Sequence, residues 1–569
     1  MSSSIWVGKK ADALVEKATD IALELERMND LKTMDLSGEF DGTKKTYDKI
    51  MKKWFMANGA NEATPEQLTA LCEKWYALTR DGWSGYTAFA QPELSSVSTG
   101  TKGGDNADLT CTPSTDTVAG TDDYAGLPLF ACIDVNYEVD PTSLDIVITA
   151  IKGITNNFVA TSPDHFVGVM QMSGWHYWYD TDTTYVHGYA DHRIATGKCE
   201  PLPEAVRVDG TVREFVVHSK YMNHTVDGKM TSYSGVIPTG WASHNSSHTL
   251  SRATGEQYSG GTTSDLAFLT LMTYIKYASL TLDGIMQGCC SFSNQYYAQV
   301  SESSVKRVIV PANTTLEEGC SVFIGSYAGD KDRGQAAIYS VTGNGGAVVT
   351  GVEDITINDV AYKAVYVDVA EAFDTVANGD DQTGSTIIST FHWRNGTTDG
   401  ILGNDGSYKN NTSGKYPYKL QGIEVMLGGY EVLSDVIMNI ADGAYTPYIV
   451  NRSANQKTAI DANYKALTDL TIACPETDKW EYIKRLAYAD GVFCPSIVEG
   501  SSSTFTRDAF YMNKDTTVGT RELLAFGDLA YGPGLAGLSC LYGNYGLGSA
   551  GWYFLARLSP NGNRGEWAA

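Results

Sequence analysis

The chain has 569 residues, 57 of them Gly, with 11% aromatic and 19% charged side chains and a formal net charge of -25. That length allows three or four domains with ample core. The acidic balance argues against nucleic acid and anionic lipid as partners, since both need clustered Lys and Arg.

Taken from the start, residues 9–34 place Ala11, Leu14, Ala18, Ile21, Leu25 and Met28 in three-four alternation, the pattern of a short coiled-coil seam. So short a seam gains stability by assembling, which predicts a homo-oligomer, with a trimer favoured. An amphipathic helix packed on its own domain fits the same pattern. A second helix is expected over Lys44 to Met56, and a third from Thr64-Pro65-Glu66-Gln67, a capping box with Pro at the first helical position. From Gly82 to Asp123 the composition shifts to Ser, Thr, Gly and Asp and reads as linker-like.

Alternating patterns predict strands at Leu129–Tyr137, Leu144–Ile151, Phe166–Met172 and Trp175–Tyr179. Leu266 to Cys289 reads as a long buried helix. A separate β pattern follows at Arg307–Pro311, Cys320–Ile324, Ala337–Val341, Ala347–Ile357 and Ala361–Val369, with turn signals at Gly343-Asn344-Gly345-Gly346 and Asn358-Asp359. Met1 to Asp30 lacks an apolar signal core, and no apolar run reaches the roughly eighteen residues of a spanning helix, so no membrane insertion is expected.

Candidate chemistry is sparse. Gly532-x-Gly534-x-x-Gly537 matches the dinucleotide fingerprint only formally, with no following helix and no acidic residue about twenty positions on. Eight of the nine histidines fall between 165 and 248, at spacings that match no metal-ligand motif. The ten cysteines form no C-x-x-C, and Cys289-Cys290 reads as buried thiols. No catalytic residue, metal site or cofactor is therefore predicted.

The most informative stretch is the last, Arg521 to Ala569. Gly recurs at 527, 532, 534, 537, 543, 546, 548 and 551, interleaved with Tyr531, Tyr542, Tyr545 and Tyr553. Rigid tyrosines among Gly, Ser and Asn make the composition of a binding surface, and the aromatic content argues against a disordered tail.

The run Leu524, Gly527, Asp528, Leu529, Gly532, Ala536, Gly537, Leu541, closing on Ala556-Arg557-Leu558, resembles the variable region of lectin-fold proteins diversified by retroelements, among them the tropism determinants of phages. Leu529 stands where that family carries Trp, and Phe526 replaces the first Gly of a pair. Upstream, Gly422-Ile423-Glu424 through Glu431 and Asp435 is similar to the core motif of C-type-lectin folds related to formylglycine-generating enzymes. Phe493-Cys494-Pro495 with Glu499–Phe505 resembles the Ser-rich loop that precedes the variable region in phage members.

The resemblance implies a multidomain α+β chain with N-terminal helices, a β-rich spacer and a C-terminal C-type-lectin-like fold carrying an inserted small β domain. The expected segments are 1–81 (helical, for virion attachment or oligomerisation), 82–123 (linker), 124–200 (β-rich), 201–290 and 390–569 (lectin-like) and 291–389 (inserted), with the variable region at 521–558. It also implies a phage adhesin that presents a diversifiable surface to a bacterial receptor, protein or glycan. That adhesin would sit on the virion beside other virion proteins, assembled in the host cytoplasm.

The variable, solvent-facing positions would be Asp528, Ala530, Tyr531, Leu535, Ser539, Tyr542, Asn544, Tyr545, Ser549 and Tyr553. Gly527, Ala536, Gly537, Leu541, Trp552, Ala556, Arg557 and Leu558 would be scaffold. Two alternatives stand beside this reading: a structural virion protein that uses the lectin fold for assembly only, and a formylglycine-generating-type oxidase. The oxidase would need two cooperating cysteines near the C-terminus, where Cys540 stands alone in the last seventy residues.

Overall fold

The computed structural model describes residues 43–82, 87–91, 100–180, 185–194, 198–379 and 382–566. The expected coiled-coil seam at 9–34 lies outside them.

Helix α1 (Lys44–Ala57) turns Tyr47, Ile50, Met51, Trp54 and Phe55 to one side, and Thr43 caps it by accepting from the Thr46 N–H. Helix α2 (Pro65–Gly82) begins at the expected capping box: Thr64 N–H donates to Gln67 Oε1 and Gln67 N–H to Thr64 Oγ1. Trp75 of α2 donates from Nε1 to the Tyr47 hydroxyl at 2.9 Å, which locks the two helices together. Both share one continuous hydrophobic core with residues as distant as Leu558, so the helices are part of the folded body. Arg80–Glu214 and Arg207–Glu73 ion pairs add polar ties from α2.

β-structure dominates the rest. An antiparallel four-stranded sheet runs in the order Ile146–Ile151, Cys132–Val139, Phe166–Met172, Phe215–Ser219. A five-stranded sheet contains Trp175–Asp180 and Tyr185–Ala190. A six-stranded sheet is built wholly from residues 295–390. In it the hairpin Ala347–Ile357/Val360–Val367 turns at Asn358 and Asp359, both at positive φ, as the turn signal predicts. Ala337–Val341 is not the expected strand; Ala336–Tyr339 forms a 3-10 turn under the strand Ser321–Ser326.

The largest sheet is C-terminal. Its long strand Tyr430–Ala441 pairs antiparallel with Ala444–Ile449 and Gly519–Ala525, and in parallel with Phe554–Leu555. The chain end is thereby tied to the centre of that sheet.

Two helices back these sheets. Helix α3 (His244–Thr254) and helix α4 (Thr263–Tyr277) each open on a complete capping box, at Ser243/Ser246 and Thr262/Asp265. Every residue of α4 from Thr263 to Lys276 is buried. Lys276 is tolerated there because its ammonium meets Asp405 at 2.8 Å and Asp122 at 3.4 Å. The expected helix to Cys289 stops early, at Ala278, whose left-handed backbone (φ 48°) ends the helix.

The linker expectation is also corrected for the described part of 82–123. Asn106 donates to the Ile275 carbonyl at 2.8 Å, and the Ser114 N–H donates to the Asp405 carbonyl at 2.9 Å. Small polar side chains that suggested a solvated spacer instead satisfy backbone groups of a docked loop. Among the described residues no helix is long and apolar enough to cross a membrane.

Candidate functional site

The C-terminal stretch is held from beneath by buried charges. Arg557 forks onto both carboxylate oxygens of Glu431 at 3.1–3.2 Å, and its other nitrogens donate to the carbonyls of Ser219 and Glu424. The Glu424 carboxylate accepts from the N–H groups of Gly396 and Thr398 and from the Thr398 hydroxyl. Asp435 accepts from Arg564 at 2.9 Å and from Thr263 at the head of α4. Burial pushes Glu424 up to about 7, and it raises Glu431 and Asp435 against the pull of their arginines. Thus the Glu424–Asp435 stretch and the closing Ala556-Arg557-Leu558 segment, which follows the strand Phe554–Leu555 rather than forming one, meet in one buried network.

Glycines in this region serve close packing. A Cβ on Gly527 would lie 2.5 Å from the Ala536 Cβ, and one on Gly537 would lie 2.1 Å from Asp508 Oδ1. Gly527 also sits at φ +105°, a conformation L side chains rarely adopt. The backbone from 526 to 540 is therefore fixed: Phe526 N–H donates to the Cys540 carbonyl and Gly537 N–H to the Phe526 carbonyl.

On that frame lies an aromatic cluster. Tyr542 stacks on Tyr511 (centroids 4.7 Å, 13°) and on Tyr545 (4.9 Å, 20°). Trp480 meets Tyr511, Tyr531 and Tyr542 edge-on at 5.2–5.5 Å. Tyr430, at the start of the long strand, touches Tyr531, Tyr542 and Tyr553 from below. The Tyr545 and Tyr553 hydroxyls are hydrogen-bonded at 2.8 Å. Tyr531 is 39% exposed, while Trp480, Tyr511, Tyr545 and Tyr553 are half-buried. Under the patch, Asp528 accepts from the Ala530 N–H at 2.7 Å, and burial pushes its carboxyl up to about 6. The buried Tyr430 hydroxyl has no hydrogen-bond partner among the described residues.

Ala530 and Tyr531 are exposed, and Leu535, Asn544, Tyr545, Ser549 and Tyr553 are half-buried. Three expected solvent-facing positions are buried: Asp528, Ser539 and Tyr542, at 5–6% exposure. Asp528 is folded under its own turn. The Ser539 N–H is committed to Asp508 Oδ2 at 2.9 Å, and Tyr542 lies in a strand sandwiched between two rings. Of the scaffold residues, Gly527, Ala536, Leu541, Trp552, Ala556, Arg557 and Leu558 are buried and Gly537 is half-buried. Trp552 carries the Arg333 guanidinium over its ring at 5.3 Å.

Sequence reading missed Trp480, Tyr511 and Tyr430. The first two face each other across the pair Lys479–Tyr482/Ala509–Met512, and the strand Ala509–Met512 pairs in parallel with Leu541–Tyr542. Tyr511 lies between Phe510 and Met512, and what brings it to Trp480 is this pairing rather than a pattern of neighbours in the chain.

The buried histidines are spent on packing. His176 and His187 lie 3.0 Å apart among Tyr488 and Phe493; His218 pairs with Asp265; and His392 donates to the Trp552 carbonyl at 2.6 Å. Among the described residues no group of three or more His, Cys, Asp or Glu side chains is arranged to hold a metal. All ten cysteines are free, and burial pushes the Cys494 thiol up to about 12 and raises Cys540 well above the ordinary thiol range. Neither a family model nor any curated protein matches this chain.

Proposed function

We propose that this chain is a phage receptor-binding protein, with residues 201–290 and 390–569 forming a C-type-lectin-like fold and 291–389 inserted as a small β domain. The self-contained sheet within 295–390 supports the insertion, and the network joining Glu424, Glu431 and Asp435 to Arg557 and Arg564 supports the lectin-type scaffold.

One observation carries the functional reading: the half-exposed cluster of Trp480, Tyr511, Tyr531, Tyr545 and Tyr553 on a rigid frame. Amphipathic rings held by packing lose little entropy on binding, and clusters of Trp and Tyr are where binding energy concentrates. No bond-making is required of such a site; its action is contact, multiplied across copies on the particle. Positions that vary would be those at the rim, Ala530, Tyr531, Asn544, Tyr545, Ser549 and Tyr553. Asp528, Ser539 and Tyr542 would underpin them.

The purified chain tests this by competition. Added in excess to bacterial host cells, it should block adsorption of the parent phage, and the Trp480→Ala/Tyr531→Ala protein should not. Equal blocking by both proteins, or blocking by neither, would overturn the reading.

A further inference from the structure

Away from the aromatic patch, an acidic chain carries a basic pocket. It measures about 400 Å³ and lies between α1, the strand Cys132–Val139, the turn at 152–154 and the loop 399–404. Five lysines line it against three aspartates, although the chain's net charge is -25.

The aspartates are already committed. Asp134 and Asp399 hold Lys220 at 2.9 and 2.8 Å, Asp134 also takes Lys152 at 2.7 Å, and Asp48 pairs with Lys44 at 3.0 Å. Two lysines remain without a carboxylate among the described residues. Lys52 stands on the exposed side of α1 at the rim. Lys419, only 8% exposed, donates to the Ile401 carbonyl at 3.1 Å and leaves the rest of its ammonium unused.

In the same lining, the Asn404 side-chain amide nitrogen is buried with no acceptor among the described residues. Asp134 and Asp399 act on Lys419 only from a distance, engaged as they are with Lys220. A buried ammonium with no carboxylate in direct contact and a buried N–H donor without an acceptor are each unfavourable, and one anion in the pocket relieves both. Burial and the neighbouring Lys220 pull Lys419 down to about 8, so at neutral pH it remains largely charged.

We propose that this pocket binds a tetrahedral oxyanion, a phosphate or sulfate group, with Lys419, Lys52 and the Asn404 amide as donors. These donors come from three separate elements, which suits oxygens pointing in several directions better than the two of a planar carboxylate. The volume exceeds a bare ion, so the organic part of a phosphate ester fits as well. The site is independent of the adhesin reading, since it shares no residue with the aromatic patch.

Calorimetric titration of the full chain at pH 7 and low salt tests it, with inorganic phosphate, sulfate and glucose 1-phosphate as separate probes. At least one probe should bind saturably at one site, with a dissociation constant below about 1 mM. Tighter binding of the sugar phosphate would mark an ester as the ligand, and equal binding a free ion. Lys419→Met should weaken binding at least tenfold. Asn404→Asp, which sets a carboxylate in the pocket lining, should do the same in a chain of nearly unchanged shape. Lys363→Met, on a distant hairpin, should bind as the parent does. No saturable binding by any probe up to about 10 mM, or Asn404→Asp binding as tightly as the parent, would overturn the proposal.

Discussion

Glu431 and Arg557 lie 126 positions apart in the chain and form a fully buried forked ion pair, 3.1–3.2 Å between nitrogen and oxygen. It ties the first residues of the central C-terminal strand to the segment just past the strand Phe554–Leu555, which pairs with them in parallel at Tyr430–Phe554 and Glu431–Leu555. A frame closed in this way holds the tyrosine-bearing loops in place. Arg557→Met strands a buried carboxylate and should cost about 3–5 kcal/mol in denaturant unfolding. Adding Glu431→Leu should recover part of that loss, because the orphaned charge is then gone.

The aromatic residues should divide by depth. Tyr542→Ala removes a ring stacked on both sides and should cost about 3–5 kcal/mol. Tyr531→Ala, at the exposed rim, should stay within about half a kcal/mol of the parent. Thermal or denaturant unfolding of the two single variants measures the contrast, and equal losses would contradict this placement.

Gly537 gives a separate test of the frame. The Cβ of Gly537→Ala would meet Asp508 Oδ1 at 2.1 Å, and Asp508 is itself fixed by the Ser539 N–H. A loss of about 1–3 kcal/mol is expected from such overpacking. A neutral result would show the loop to be as adaptable as its composition suggests.

Stability should fall as pH rises above 6.5. Burial lifts Glu522 to about 8 and Asp508 and Glu424 to about 7, so the folded chain holds protons that the unfolded chain has already released. Their contribution is complete below the ordinary carboxylate range and is lost as pH climbs through 7 to 8. The buried histidines have the opposite sign, since burial depresses His244 to about 3 and His248 and His392 to about 4, but their effect is confined to pH below about 6.5. Melting temperatures between pH 6.5 and 9 should therefore decline, and Glu522→Gln should flatten the decline.

Much of this was legible in the sequence. The capping box at Thr64 and the Asn358-Asp359 turn act through neighbours in the chain, so α2 and the hairpin Ala347–Ile357/Val360–Val367 could be placed from local pattern. Helix α4 could be placed, but its end could not, because Ala278 adopts a left-handed backbone without the glycine that usually announces it. The docked loop at 100–123 was misread because Ser, Thr and Asn satisfy water and backbone equally well, and only the fold decides which.

At the candidate site, Tyr531, Tyr545 and Tyr553 were found from composition. Tyr542 and Ser539 were assigned to solvent because composition carries no depth. Trp480 and Tyr511 reach the patch through long-range pairing that no local pattern records.

The central proposal is that the aromatic patch holds a bacterial receptor. It is tested most directly by adsorption of phage particles whose copies of this chain carry Trp480→Ala and Tyr531→Ala. Particle assembly and the melting temperature of the chain should be close to those of the parent, while the adsorption rate falls at least about tenfold, since central aromatic anchors are worth about 2 kcal/mol or more each. Particles that assemble and adsorb to the host at the parental rate would contradict the account.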